Sequence, residues 1–183
     1  VAQCPAQTGQ VYSITAIPNA TSYIWTVPTG WSITAGSTTN TITVTTGTAG
    51  QNGNITVRAN KSCGTPISGG IQTLAVTVNS APAAPTVAVT APTCSSAATN
   101  ILSTYSASLT YTSTPTGLTV GAGGVITGGT TGTSYTIRAT NASGCFATSA
   151  SFTYNGGAIL PTPAVPTVAV TAPTCSSAAT NIL

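Results

Sequence analysis

The sequence predicts an all-β chain built from tandem antiparallel sandwiches of about 80 residues each. Three observations predict it. Apolar and polar residues alternate with period two in short runs, and no helical period occurs anywhere. Gly and Pro clusters separate those runs, at 28–30, 47–53 and 128–133. An eighteen-residue stretch, PTVAVTAPTCSSAATNIL, stands at 85–102 and again at 166–183, a period of 81 residues.

In the first unit the runs at 11–15, 22–27, 41–45, 54–59 and 73–78 read as strands. In the second the runs are 86–90, 108–112, 124–127, 134–140 and 150–154. β-branched residues dominate because they suit a pleated, half-buried surface, and Thr supplies the solvent face where other chains use Lys and Glu. Trp25 stands mid-run between apolar neighbours and is expected to anchor the core of the first unit, where a ring buries on the order of 200 Å². Trp31 follows the turn at 28–30 and leaves two readings open. It caps the core from a loop, or it stands exposed as a platform for stacking a sugar.

The repeat divides the chain into residues 1–80, residues 81–160, and a remainder at 161–183 made of a linker and the truncated start of a third unit. The Pro- and Ala-rich stretches at 79–85 and 156–166 read as semi-rigid linkers, with prolines that open edge strands as the alternative. A weaker echo relates the first two units: TVRANKSC at 56–63 answers TIRATNASGC at 136–145. The chain therefore reads as a window on a longer tandem array, with Val1 a mature or internal N-terminus.

Composition excludes most chemistry. The charged residues are Arg58, Lys61 and Arg138, and there is no Asp, Glu or His. No carboxylate pair can do acid–base work, no Ser-His-Asp or Cys-His set can form, and neither imidazole nor carboxylate is present to hold a metal. No enzyme, no cofactor and no metal site are expected. A net charge of +3 on three scattered cations makes no basic stripe, so nucleic acid is not an expected partner. No apolar run approaches the roughly 20 residues of a membrane helix, so no membrane span is expected in this segment.

Five cysteines suggest an oxidising, extracellular setting. The expected pairs lie within units, Cys4 with Cys63 and Cys94 with Cys145, each bridge worth roughly 4 kcal/mol by chain entropy. Cys175 copies Cys94, and its expected partner lies beyond Leu183. Four Asn-x-Ser/Thr sequons, at Asn19, Asn54, Asn60 and Asn141, are no more than this composition produces.

The stretch at 19–36, NATSYIWTVPTGWSITAG, together with TITV at 41–44 and NKSCG at 60–64, resembles the PKD-like, immunoglobulin-like repeats of Bacteroidetes surface proteins. The second unit, with PTCSS at 92–96, LTY at 109–111 and NASGC at 141–145, is similar to the repeat of the giant gliding-motility adhesins of flavobacteria. The resemblance implies immunoglobulin-like sandwiches joined by Pro-rich linkers, exported by the type IX secretion system to the cell surface. It carries over no catalytic residue. The family repeats usually hold several Asp and Lys, which this chain lacks.

The expectation is a structural stalk or spacer segment of an extracellular adhesin or surface fibre, serving adhesion or gliding. Its expected partners are neighbouring repeats of the same chain, and surface polysaccharide or other fibre chains. The alternatives are a carbohydrate-binding module, with Trp31 and Tyr23 or Tyr105 as platforms, and a self-assembling filament subunit that exchanges strands.

Overall fold

A computed structural model describes residues 1–61, 70–157, 159–171 and 180–182. The chain is all-β, and its fold is the immunoglobulin-like sandwich. Among its described residues the first unit holds seven strands: β1 (Ala2–Gln3), β2 (Gln10–Ser13), β3 (Ser22–Thr26), β4 (Ser32–Ala35), β5 (Thr41–Thr45), β6 (Gly53–Asn60) and β7 (Gln72–Val78). One sheet runs in the order β1-β7-β6-β3 and the other β2-β5-β4. Alternation explains how they pack. Tyr23 and Trp25 of β3, Ile55, Val57 and Ala59 of β6, and Val76 and Val78 of β7 point inward from the first sheet. Ile42 and Val44 of β5 meet them from the second, each with no exposed surface.

β1 is parallel to β7, with Gln3 opposite Val78, whereas β6 and β7 are antiparallel. The end of β1 and the end of β7 therefore lie at one pole of the sandwich. The β6–β7 connection leaves Asn60 at the other pole, about 20 Å away along a seven-residue strand. The tight β4–β5 turn needs Gly36, whose φ of +76° and contact with the Thr41 carbonyl leave no room for a side chain.

The second unit contains β8 (Val87–Thr90), β9 (Thr99–Leu102), β10 (Thr110–Thr114), β11 (Thr119–Val120), β12 (Ile126–Thr127), β13 (Ser134–Thr140), β14 (Phe146–Thr148) and β15 (Phe152–Thr153). β13 pairs with β10 on one side and with β14 and β15 on the other. Leu102, Ile126, Tyr135, Ile137 and Tyr154 form a core of their own, with Tyr135 edge-on to Tyr154 at 6.3 Å. Asn100 is buried on β9, where its amide donates to the Asn155 carbonyl at 2.7 Å and accepts from the Asn155 N–H at 3.2 Å.

Some strands differ from the periodic reading. The run at 150–154 keeps only β15, because Ser149 intervenes. Its hydroxyl accepts from the Ile137 N–H at 2.9 Å, and its own N–H donates to the Ile137 carbonyl at 2.8 Å. Between the pairs Arg138–Thr148 and Tyr135–Phe152 the outer chain has one residue more than β13, which is a β-bulge. The run at 124–127 starts with a 3-10 turn at Ala122–Gly124 and is strand only at its end. β1, β4, β9, β11 and β14, each two to four residues long, have no counterpart in that reading.

Two further strands, β16 (Ala169–Thr171) and β17 (Thr180–Ile182), lie in the second copy of the repeated stretch. They pair Ala169 with Ile182 and Thr171 with Thr180, one period beyond Ala88 with Ile101 and Thr90 with Thr99. Identical sequence forms the identical hairpin register.

Candidate functional site

The two tryptophans are core residues. Trp25 is 9% exposed, and its indole N–H donates to the Thr39 carbonyl at 2.7 Å. Trp31 is 7% exposed, its ring centroid 6.5 Å from that of Tyr12, and its indole N–H donates to the Gln51 carbonyl at 2.9 Å. The turn closed by Trp31 N–H on the Pro28 carbonyl folds the ring inward, so Trp31 offers no face to a sugar. The glycan-contact reading of Trp31 is corrected accordingly. Tyr23 is buried too, its hydroxyl accepting from the Ile17 N–H at 2.9 Å. Tyr105 is half-buried and stacked on Tyr111 at 5.8 Å.

The cysteines differ from the within-unit pairing. Cys4 is bonded to Cys145 of the second unit, with Cα atoms 5.3 Å apart, and Cys94 is exposed and unbonded. Cys63 and Cys175 lie outside the described residues. The polarity of the sandwich bears on this. Cys4 follows β1 at the pole where β7 exits, whereas β6 ends with Asn60 at the opposite pole. The linker leaving β7 is short, so the next unit presents its β13–β14 turn to Cys4. In the second unit the corresponding two cysteines are likewise separated. Cys145 faces the first unit, while the loop bearing Cys94 meets the outgoing linker, where Leu160 N–H donates to the Thr93 carbonyl at 3.1 Å.

The junction is built on both sides by side chains that organise loops. On the first unit, Cys4 N–H donates to Gln7 Oε1 at 3.1 Å, and the Thr46 hydroxyl donates to the Cys4 carbonyl at 2.8 Å while accepting from Gln7 N–H at 2.8 Å. On the second, Asn141 Oδ1 accepts from the N–H groups of Ser143 at 3.1 Å and Cys145 at 3.0 Å. The same Asn141 amide donates to the Ser80 carbonyl of the linker at 2.8 Å. Asn79 N–H donates to the Gln3 carbonyl at 2.9 Å, pinning the start of the linker beside Cys4. Between the units lies a cleft of about 450 Å³ lined by Cys4, Pro5, Ala6, Gln10, Ala81 and Phe146. The Arg138 guanidinium sits 3.3 Å from the Phe146 ring centroid, a cation–π contact that no local sequence pattern announces.

Tyr12 bears on the adjoining core. Burial raises its hydroxyl above the ordinary value of 10.0, and the hydrogen bond from Gln3 Nε2 at 3.0 Å works in the opposite direction. What the junction holds chemically is a disulfide whose flanking loops are fixed by side-chain-to-main-chain hydrogen bonds. Its sequence signal was the pair of cysteines at loop ends; the partner choice carried no local signal.

No helix among the described residues is long and apolar enough to cross a membrane. No curated protein matches the chain. A solved structure of the titin domains Z1Z2 in complex with telethonin is similar at 13% identity, covering 81% of this chain and 89% of that one at a TM-score of 0.30, a superposition too loose to carry an argument. Residues 1–72, which hold the strands from β1 onward through β6, match the family model described as a PKD-like domain.

Proposed function

We propose that this chain is a spacer segment of an extracellular tandem-repeat adhesin or surface fibre. Its units act by length and mechanical continuity. The observation that carries this reading is the repeat of 81 residues, which forms the same hairpin register in both of its copies. The bridge between Cys4 and Cys145 supports it, because a covalent tie across a junction limits how far neighbouring units can swing apart. The same bridge supports an oxidising, extracellular location. The match of residues 1–72 to a PKD-like domain agrees with a structural repeat.

Adhesion or gliding at a bacterial surface is the fuller form of this proposal, and it rests on the sequence resemblance. A sugar-binding module is less favoured, since Trp31 and Tyr23 are both buried. The proposal assigns the chain no catalytic step.

Small-angle scattering on the oxidised chain tests the reading. A compact globule of this length has a radius of gyration of about 16 Å. We expect a value above about 20 Å and a distance distribution with an extended tail. A value near the globular one would overturn the proposal.

A further inference from the structure

We propose that Cys94 is a cross-linking site. Its partner is the cysteine that stands, in a unit following the second, where Cys145 stands in the second. Every junction of the array then carries the bridge seen between Cys4 and Cys145. The proposal rests on the spacer reading, since it requires a following unit.

Three observations carry it. Cys4 and Cys94 each lie between the first and second strand of their unit in chain order, β1 and β2 or β8 and β9. The outgoing linker is pinned beside each of them in the same way. Asn79 N–H donates to the carbonyl of Gln3, the residue before Cys4, and Leu160 N–H donates to the carbonyl of Thr93, the residue before Cys94. The two donors, Asn79 and Leu160, are one 81-residue period apart. The chain thus leaves the second unit beside its cysteine-bearing loop, as it leaves the first. Finally, Cys94 is exposed and unbonded, while its counterpart Cys4 is bonded to the turn of the unit that follows it.

The turn that would meet Cys94 is the copy of residues 141–145. In the second unit Asn141 holds this turn through two N–H groups and reaches back to the carbonyl of Ser80. One period on from Ser80 stands Pro161, which keeps a carbonyl to accept the same bond. Formation of the bridge breaks two S–H bonds and makes one S–S bond. The two electrons and two protons pass to a small disulfide such as oxidised glutathione, which is reduced to two thiols.

The test uses the full chain extended by one unit, so that the second copy of the repeated stretch continues through a copy of residues 103–165. The protein is oxidised with glutathione disulfide, alkylated without reduction and mapped by peptide mass spectrometry. We expect a Cys4–Cys145 peptide and a peptide joining Cys94 to the copied Cys145, with alkylation of Cys94 lost. In a Cys94→Ser version of the extended chain, the copied cysteine should become alkylated while Cys4–Cys145 persists. Cys94 recovered alkylated, or bonded to Cys63, Cys145 or Cys175, would overturn the inference. Scattering on the same sample separates the two ideas. An extended particle with Cys94 unbonded overturns the cross-link alone, whereas a compact particle overturns the spacer reading itself.

Discussion

The side-chain amide of Asn141 donates to the main-chain carbonyl of Ser80 at 2.8 Å, tying a turn of the second unit to the linker that leaves the first. The same side chain accepts from the N–H groups of Ser143 and Cys145. Asn141→Ala removes all three bonds and loosens the turn that presents Cys145 to Cys4. At about 1–2 kcal/mol for the set, the Cys4–Cys145 bridge should become roughly tenfold easier to reduce. Equilibration in glutathione buffers, followed by acid quench and alkylation, measures this. An unchanged midpoint would show that the turn is organised without Asn141.

Trp31→Ala should destabilise the first unit by about 3–5 kcal/mol, the range for deleting a buried aromatic ring. Denaturant unfolding followed by the fluorescence of Trp25 reads the change. In the native protein, acrylamide should quench neither indole efficiently. Strong quenching of a Trp25→Phe variant, which leaves Trp31 as the reporter, would contradict the burial described above.

Asn100→Ala should cost the second unit about 1–3 kcal/mol. It leaves the N–H and carbonyl of Asn155 without the partners they have in the buried pair. Hydrogen exchange should show the loss at Asn155 and at β9 before it spreads to the first unit. A uniform loss in both units would instead mean that the junction couples them into one cooperative block.

Stability should be nearly flat from about pH 2 to pH 7, because the chain has no Asp, Glu or His side chain to titrate there. Loss should come on the alkaline side. Tyr12 has its folded-state value raised above the ordinary 10.0, chiefly by burial. Its contribution is fully present below the unfolded value and disappears as pH climbs through the folded one, since the unfolded chain releases the proton first. Tyr12→Phe should flatten part of that alkaline decline. Thermal melts across the pH range check both statements, and a stability step near pH 4 would refute the first.

Much of the fold was legible because strand signals are local. The run 22–27 announces β3 with Trp25 inward, and the structure puts Tyr23 on the same face, since side chains two apart in a strand share a face. The runs at 41–45 and 134–140 coincide with β5 and β13 for the same reason. The run at 150–154 contains β15, but the bulge before it was not legible. Ser149 exchanges two hydrogen bonds with Ile137, a residue twelve positions earlier that no local window includes. Trp31 left two readings open because a turn directs its side chain, and period-two alternation does not extend into a turn.

The sequence by itself determined the fold class, β-strands from alternation, and it carries the same eighteen residues twice at a period of 81. Only the tertiary structure decided which cysteine meets which. Strand order puts the loop after β1 and the end of β6 at opposite poles of the sandwich. A cysteine near one pole can therefore bond only with what is brought to that pole, and here the short linker brings the next unit.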